Sequence, residues 1–176
     1  MTGTAMEEGY TNLEAIAYLS TQPESLWDIT PHKTKRSLNQ NSLYWMAVGI
    51  IAKALKKPNC YVHNLLLRRC EIYEQIDGKV VCVPLPDTDE AELWAEYHEL
   101  YHYKPTLERF TNTNGTEWRW YKVLKGSKEY NMEEMARLID IAIDQLESMG
   151  LMLPKDAATV KALEEHEKIK SERTHK

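Results

Sequence analysis

Residues 36–56 read RSLNQNSLYWMAVGIIAKALK, and the fold is decided by how that stretch is read. Leu43, Met46, Ala47, Ile50, Ile51, Ala54 and Leu55 recur at helical spacing and place one apolar face on a helix from about Leu38 to Lys56. Tyr44 and Val48 widen that face, so the helix is expected to be central and buried on more than one side. Its start is chemically different. Ser37-x-x-Gln40 fits a capping box, with Ser37 as N-cap and Gln40 reaching back from the third helical position. Capping leaves Arg36, Asn39 and Asn41 without a role. A helix N-terminus presents unpaired N–H groups and partial positive charge. Lys33, Lys35 and Arg36 beside it make a phosphate cradle.

Outward from this helix, the pattern is mixed. Asn12 to Gln22 reads as a helix ended by Pro23, and Leu26 to His32 as a strand. After Pro58, Asn59 is expected to cap a helix whose inner face carries Val62, Leu65, Leu66, Ile72, Tyr73 and Ile76. Asp77-Gly78 is a turn, and Val80 to Val83 a short strand stopped by Pro84 and Pro86. Asp87 to Tyr103 reads as an acidic, aromatic helix ended by Pro105. Thr106 to Phe110 and Glu117 to Leu124 form a hairpin around Asn112-Thr113-Asn114-Gly115. Asn131 caps a last core helix, with Glu134 at the third position and Gly150 at its end. The charged residues from Asp156 on read as a solvated helix or tail.

The expected fold is therefore α+β, with about four core helices and a small, mostly antiparallel sheet. From the sequence, residues 1–10 are expected to be a flexible N-terminus, 11–154 a single domain and 155–176 a charged C-terminal helix or tail. A chain of 176 residues can bury one good core. No apolar run approaches the length of a membrane span, and Cys60, Cys70 and Cys82 have no paired spacing, which fits a reducing cytoplasm. The net charge of −5 is unevenly spread: residues 31–86 sum to +6 and residues 87–105 to −5. A basic segment in an acidic chain is a local footprint for nucleic acid.

The pattern R-S-x-x-Q-N-x-x-x-W, formed by Arg36, Ser37, Gln40, Asn41 and Trp45, resembles the phage NinB family of lambda Orf-type recombination proteins. The order helix, strand, R-S-x-x-Q-N helix is similar to the N-terminal half of that family, and the likeness is specific over roughly the first third of the chain. The resemblance implies a non-enzymatic DNA-binding protein that assists homologous recombination on single-stranded or gapped DNA. It also implies a homodimer around a basic channel, a host single-strand-binding protein as partner, and action in the host cytoplasm. Gln40 and Trp45 would lie near the channel by this likeness. The residues expected to meet DNA are Lys33, Lys35, Arg36, Ser37, Asn39, Gln40, Asn41 and Trp45, with Arg119 and Lys122 in support.

Trp118-Arg119-Trp120-Tyr121-Lys122 is a second basic-aromatic run. In a strand Trp118, Trp120 and Lys122 share one face, and Arg119, Tyr121 and Val123 the other. One face packs on the core; the other either presents a strip for unpaired bases or is an ordinary solvent face. A rival signal is His98-Glu99-Leu100-Tyr101-His102, which matches H-E-x-x-H. On a helix His98 and His102 would bind zinc with Glu99 as general base of a hydrolase. Its flanks are acidic and aromatic, and no third ligand stands at a diagnostic offset. Asp87, Asp89, Glu90 and Glu92 suggest a two-metal site, or simply an acid-rich helix N-terminus. No Gly-rich phosphate loop or nucleophile signature is present, so no cofactor is expected. A third class of function is an interaction protein that inhibits a host factor through its acidic surface.

Overall fold

Antiparallel pairing decides the fate of several segments whose own sequence favours something else. A computed structural model describes residues 17, 18, 20, 21 and 38–174. The chain divides into two units, residues 1–32 and 33–176. In the first, residues 17, 18 and 20 are helical, and Thr21 donates to the Tyr18 carbonyl through both its N–H and its hydroxyl. The expected strand Leu26 to His32 lies outside the described residues.

In the second unit, α1 (Leu38–Leu55) and α2 (Asn59–Cys70) precede a two-stranded ribbon, β1 (Gln75–Ile76) and β2 (Lys79–Val80). Then come β3 (Cys82–Pro86), α3 (Asp89–Tyr97), β4 (His102–Thr111) and β5 (Glu117–Leu124). A 3-10 turn at Ser127–Glu129 leads into α4 (Met132–Ser148) and α5 (Ala157–Thr174). The three-stranded sheet has the order β3-β5-β4 and is antiparallel throughout, so the fold is α+β. Among the described residues no helix is long and apolar enough to cross a membrane, and all three cysteines are free.

The core is helical. Leu43, Tyr44, Ala47, Val48, Ile51 and Ala52 of α1 are buried, two adjacent i, i+4 rows that make a wide stripe. That stripe is rotated from the expected one: Ala54 and Leu55 are exposed, and Ile50 is only partly buried. Val62, Leu66, Leu67 and Cys70 of α2 and Met135, Leu138, Ile139, Ala142 and Leu146 of α4 complete the cluster. Here α2 departs from expectation at both ends. Pro58 is its N-cap and Asn59 lies in the first turn, with no side-chain cap. Glu71 adopts φ 58 and stops the helix, so Ile72, Tyr73 and Ile76 are not on its inner face; Ile76 lies in β1, well exposed. Asp77 and Gly78, both at positive φ, form the two-residue turn that matches the twist of a hairpin.

The helix expected over 87–103 ends at Tyr97, because residues 102–105 pair with Leu124 to Tyr121 of β5. The hairpin is correspondingly longer than its local sequence suggests, starting at His102 rather than Thr106. Its turn is as expected: Asn112 Oδ1 accepts from the N–H groups of Asn114 and Thr116, and Gly115 takes φ 79. At α4 the capping box is complete, with Glu134 N–H donating to Asn131 Oδ1 (2.8 Å) and Asn131 N–H to Glu134 Oε2 (2.9 Å). At its other end Gly150 (φ 69) donates to the Glu147 carbonyl and Leu151 to that of Leu146, a Schellman motif.

The charged C-terminal segment is a packed helix, not a solvated one. Asp156 caps it by accepting from Thr159 N–H (2.8 Å). Thr159, Ala162, His166 and Ile169 are buried, and α5 lies against α1 and α4. His166 Nε2 meets Asp140 Oδ1 at 2.8 Å.

Candidate functional site

Successive residues of an α-helix point about 100° apart, and this separates the amides at the start of α1. Gln40 turns inward: it is 1% exposed, and its Nε2 donates to the Met132 carbonyl at the start of α4 (3.1 Å). Asn39 donates from Nδ2 to Glu165 on α5. Asn41 and Trp45, one turn apart on a third side, line a single cleft of about 700 Å3. Trp45 is 39% exposed, so the packed-core position that an aromatic on a buried helix ordinarily takes is not its position here. Among the described residues, Asn41 Oδ1 is buried without a hydrogen-bond partner.

The cleft's remaining chemistry comes from α2 and β4. His63 and His102 line it, their rings edge to face with centroids 5.0 Å apart, and the Trp45 ring lies 5.0 Å from His63. Tyr44 is fully buried, and its hydroxyl is 2.6 Å from His63 Nδ1. Burial pushes the Tyr44 phenol well above its ordinary range, so it is a hydroxyl that holds its proton. Asn64, next to His63, is fixed by two backbone carbonyls: its Nδ2 donates to those of Glu96 (2.7 Å) and His98 (2.9 Å). Its amide orientation is therefore set, and Oδ1 is left to accept from His102 Nδ1 (2.5 Å). His102 is itself buried, and desolvation, with smaller contributions from His98 and Lys128, pushes it down to about 4. Gly126 faces the same ring: a Cβ there would lie 4.0 Å from His102 Nε2. A smaller hollow of about 230 Å3, lined by Trp45, Cys60, His63, His98 and His102, adjoins the same side chains.

The charged lining of the large cleft is Glu74, Glu99, Glu129 and Lys128, a net negative set. Apolar walls are supplied by Ile76, Val81, Leu100, Val123 and Leu124. Such a space favours a flat, uncharged or cationic group over a phosphate.

The other residues singled out by sequence are distributed differently. Lys33, Lys35, Arg36 and Ser37 lie outside the described residues. Arg119 does not reach out to solvent: it is half-buried, its Nε donates to the Thr106 carbonyl (2.6 Å), and Glu92 lies 3.7 Å from Nη1. Lys122 sits over the Tyr73 ring, 5.1 Å from its centre. The alternation of the strand is as expected. Trp118 stacks on Phe110 and Trp120 packs tilted against it on one face, while Tyr121 is buried on the other.

The zinc reading is corrected by the backbone. His98 is the extended C-cap of α3 and His102 belongs to β4, so the two imidazoles are not neighbours on one helical face. His98 Nδ1 accepts from Tyr101 N–H (3.0 Å). Among the described residues no group of three or more His, Cys, Asp or Glu is placed to hold a metal ion. Asp89, Glu90 and Glu92 stand in the first turn of α3 behind the Thr88 cap, and Asp87 pairs with Arg109. Tyr44, His63 and Asn64 were missed by sequence. The only signal they carry is polar side chains within the buried stripes of α1 and α2.

No protein-family model, curated protein or solved structure matches this chain.

Proposed function

We propose that the protein binds single-stranded nucleic acid and receives an unpaired base in the cleft beside Trp45. The observation that carries this reading is the convergence of Asn41 and Trp45 with His63 and His102 on one cleft. An exposed tryptophan offers a stacking face, and the amide of Asn41 in the cleft wall, whose Oδ1 is buried and without a partner among the described residues, adds polar character beside it. The resemblance to lambda Orf-type recombination proteins points the same way, toward a phage-type accessory of homologous recombination acting on single-stranded or gapped DNA. Lys33, Lys35 and Arg36, shortly before Asn41 in sequence, are the candidates for phosphate contacts. The homodimer and the host single-strand-binding partner belong to this proposal as well.

The charge of the cleft favours a second reading, in which the ligand is a free heterocycle rather than a strand. Glu74, Glu99 and Glu129 against Lys128 repel phosphate but admit a neutral or cationic ring. Fluorescence anisotropy of a labelled single-stranded oligonucleotide separates the two, read at about 50 mM and about 200 mM salt. The strand reading expects binding that weakens with salt and falls about fivefold or more in Trp45→Ala, in line with the loss of one stacked base. Absence of binding at the lower salt, or full affinity in a folded Trp45→Ala, overturns it.

A further inference from the structure

We propose that His102 is a fixed hydrogen-bond acceptor in the cleft, held so by Asn64, and that it selects bases presenting an N–H donor. The inference rests on the strand-binding reading and names what the cleft recognises.

The hydrogen-bonding roles of the atoms around His102 are forced by their partners. Asn64 Nδ2 is used by the carbonyls of Glu96 and His98, which can only accept. The Asn64 atom facing His102 is therefore Oδ1, which also can only accept. The proton between them belongs to His102 Nδ1. A neutral imidazole protonated at Nδ1 has a lone pair at Nε2. Among the described residues Nε2 has no hydrogen-bond partner. It sits across from Gly126, where the absent side chain leaves the ring edge uncovered.

An acceptor of this kind does not serve as a proton-abstracting base at neutral pH. Burial pushes His102 down to about 4, so the lone pair accepts hydrogen bonds while taking protons poorly. The site is thus suited to recognition. A base edge that offers N–H satisfies Nε2; an edge bearing only oxygen or alkyl groups leaves a desolvated acceptor unpaired, which costs binding.

The test uses two oligonucleotides of one length, oligo(dT) and its N3-methylthymidine counterpart, which lacks the base N–H. Binding of both is measured by anisotropy to the full chain, to His102→Phe and to Gly126→Ala. Phe keeps a ring but removes Nε2. Ala at 126 is compatible with that residue's φ of −68 and sets a methyl in van der Waals contact with the ring edge, 4.0 Å from Nε2, while residue 102 stays histidine. The wild-type protein is expected to prefer oligo(dT) by about tenfold or more. The preference should fall toward one in His102→Phe and shrink in Gly126→Ala. Steric exclusion of the added methyl would persist in His102→Phe, so an undiminished preference there overturns the proposal. So does equal wild-type binding of both strands, an outcome that leaves strand binding itself standing. Failure of both strands to bind overturns strand binding and this inference together.

Discussion

Acidification should destabilise this protein through His102 in a window that can be stated in advance. The group lies at about 4 in the folded protein against an ordinary 6.5, because burial disfavours its charged form. Above 6.5 both folded and unfolded chains hold it neutral, and pH has no leverage through it. As pH falls below that value the unfolded chain takes up a proton that the folded chain refuses. Stability then declines with falling pH, with a slope approaching about 1.4 kcal/mol per unit. Below about 4 both states are protonated and the loss is complete. The full difference corresponds to about 3 kcal/mol, and solvent on the cleft side reduces this to about 2 kcal/mol. Urea unfolding from about pH 7.5 to about pH 3.5 reads the effect as a difference between wild type and His102→Phe. Carboxylates titrate in both proteins and cancel. The gap in stability should close by about 2 kcal/mol on the acid side, with His102 titrating near 4 by NMR. Parallel curves for the two proteins, or a His102 that titrates at its ordinary value, would refute the reasoning.

Gly150→Ala should lower stability by about 1 kcal/mol in urea melts, because position 150 holds φ 69 in the Schellman motif that closes α4. Truncation after Pro154 should cost about 3 kcal/mol or more, or abolish cooperative unfolding, since it strips Ala162 and Ile169 from the core and His166 from Asp140. An unchanged urea midpoint in the truncated protein would return α5 to the status of a solvated tail.

What could be read from sequence was chemistry confined to a few neighbouring residues. The Asn131–Glu134 box, the Asn112–Gly115 turn and the Asp77-Gly78 turn each satisfy their own backbone groups locally, and each forms as expected. The failures share a different cause. Residues 98–103 continue a helical pattern, yet pairing of His102 and Tyr103 with Leu124 and Val123 overrides it. Nothing in the side chain of Glu71 announces φ 58; the end of α2 is imposed by the chain's return along β5, where Lys125 N–H donates to the Ile72 carbonyl. The Asn64–His102 contact joins residues 38 positions apart, so neither residue's role is visible from its neighbours. The H-E-x-x-H string was misleading for the same reason: its meaning depends on a helix that the sheet does not allow.

Part of the +6 of residues 31–86 is spent inside the fold. Arg68 donates to the Tyr103 carbonyl and Glu96, Arg69 to Gln145, and Lys57 to the Tyr97 hydroxyl, so these three cations are committed to joining α2, or the end of α1, to other elements. The motif at the start of α1 is divided in the same manner. Gln40 and Asn39 tie the helix to Met132 and Glu165, while Asn41 and Trp45 supply the cleft. Gln40 of the run that resembles a DNA-contacting motif, and its neighbour Asn39, therefore serve as scaffold. Since the cleft lining is net negative, counterion release there can contribute little. Under the proposed strand reading, affinity for a base in that space comes from stacking on Trp45 and from His102 Nε2, an acceptor with no partner among the described residues that gains from a ligand able to satisfy it.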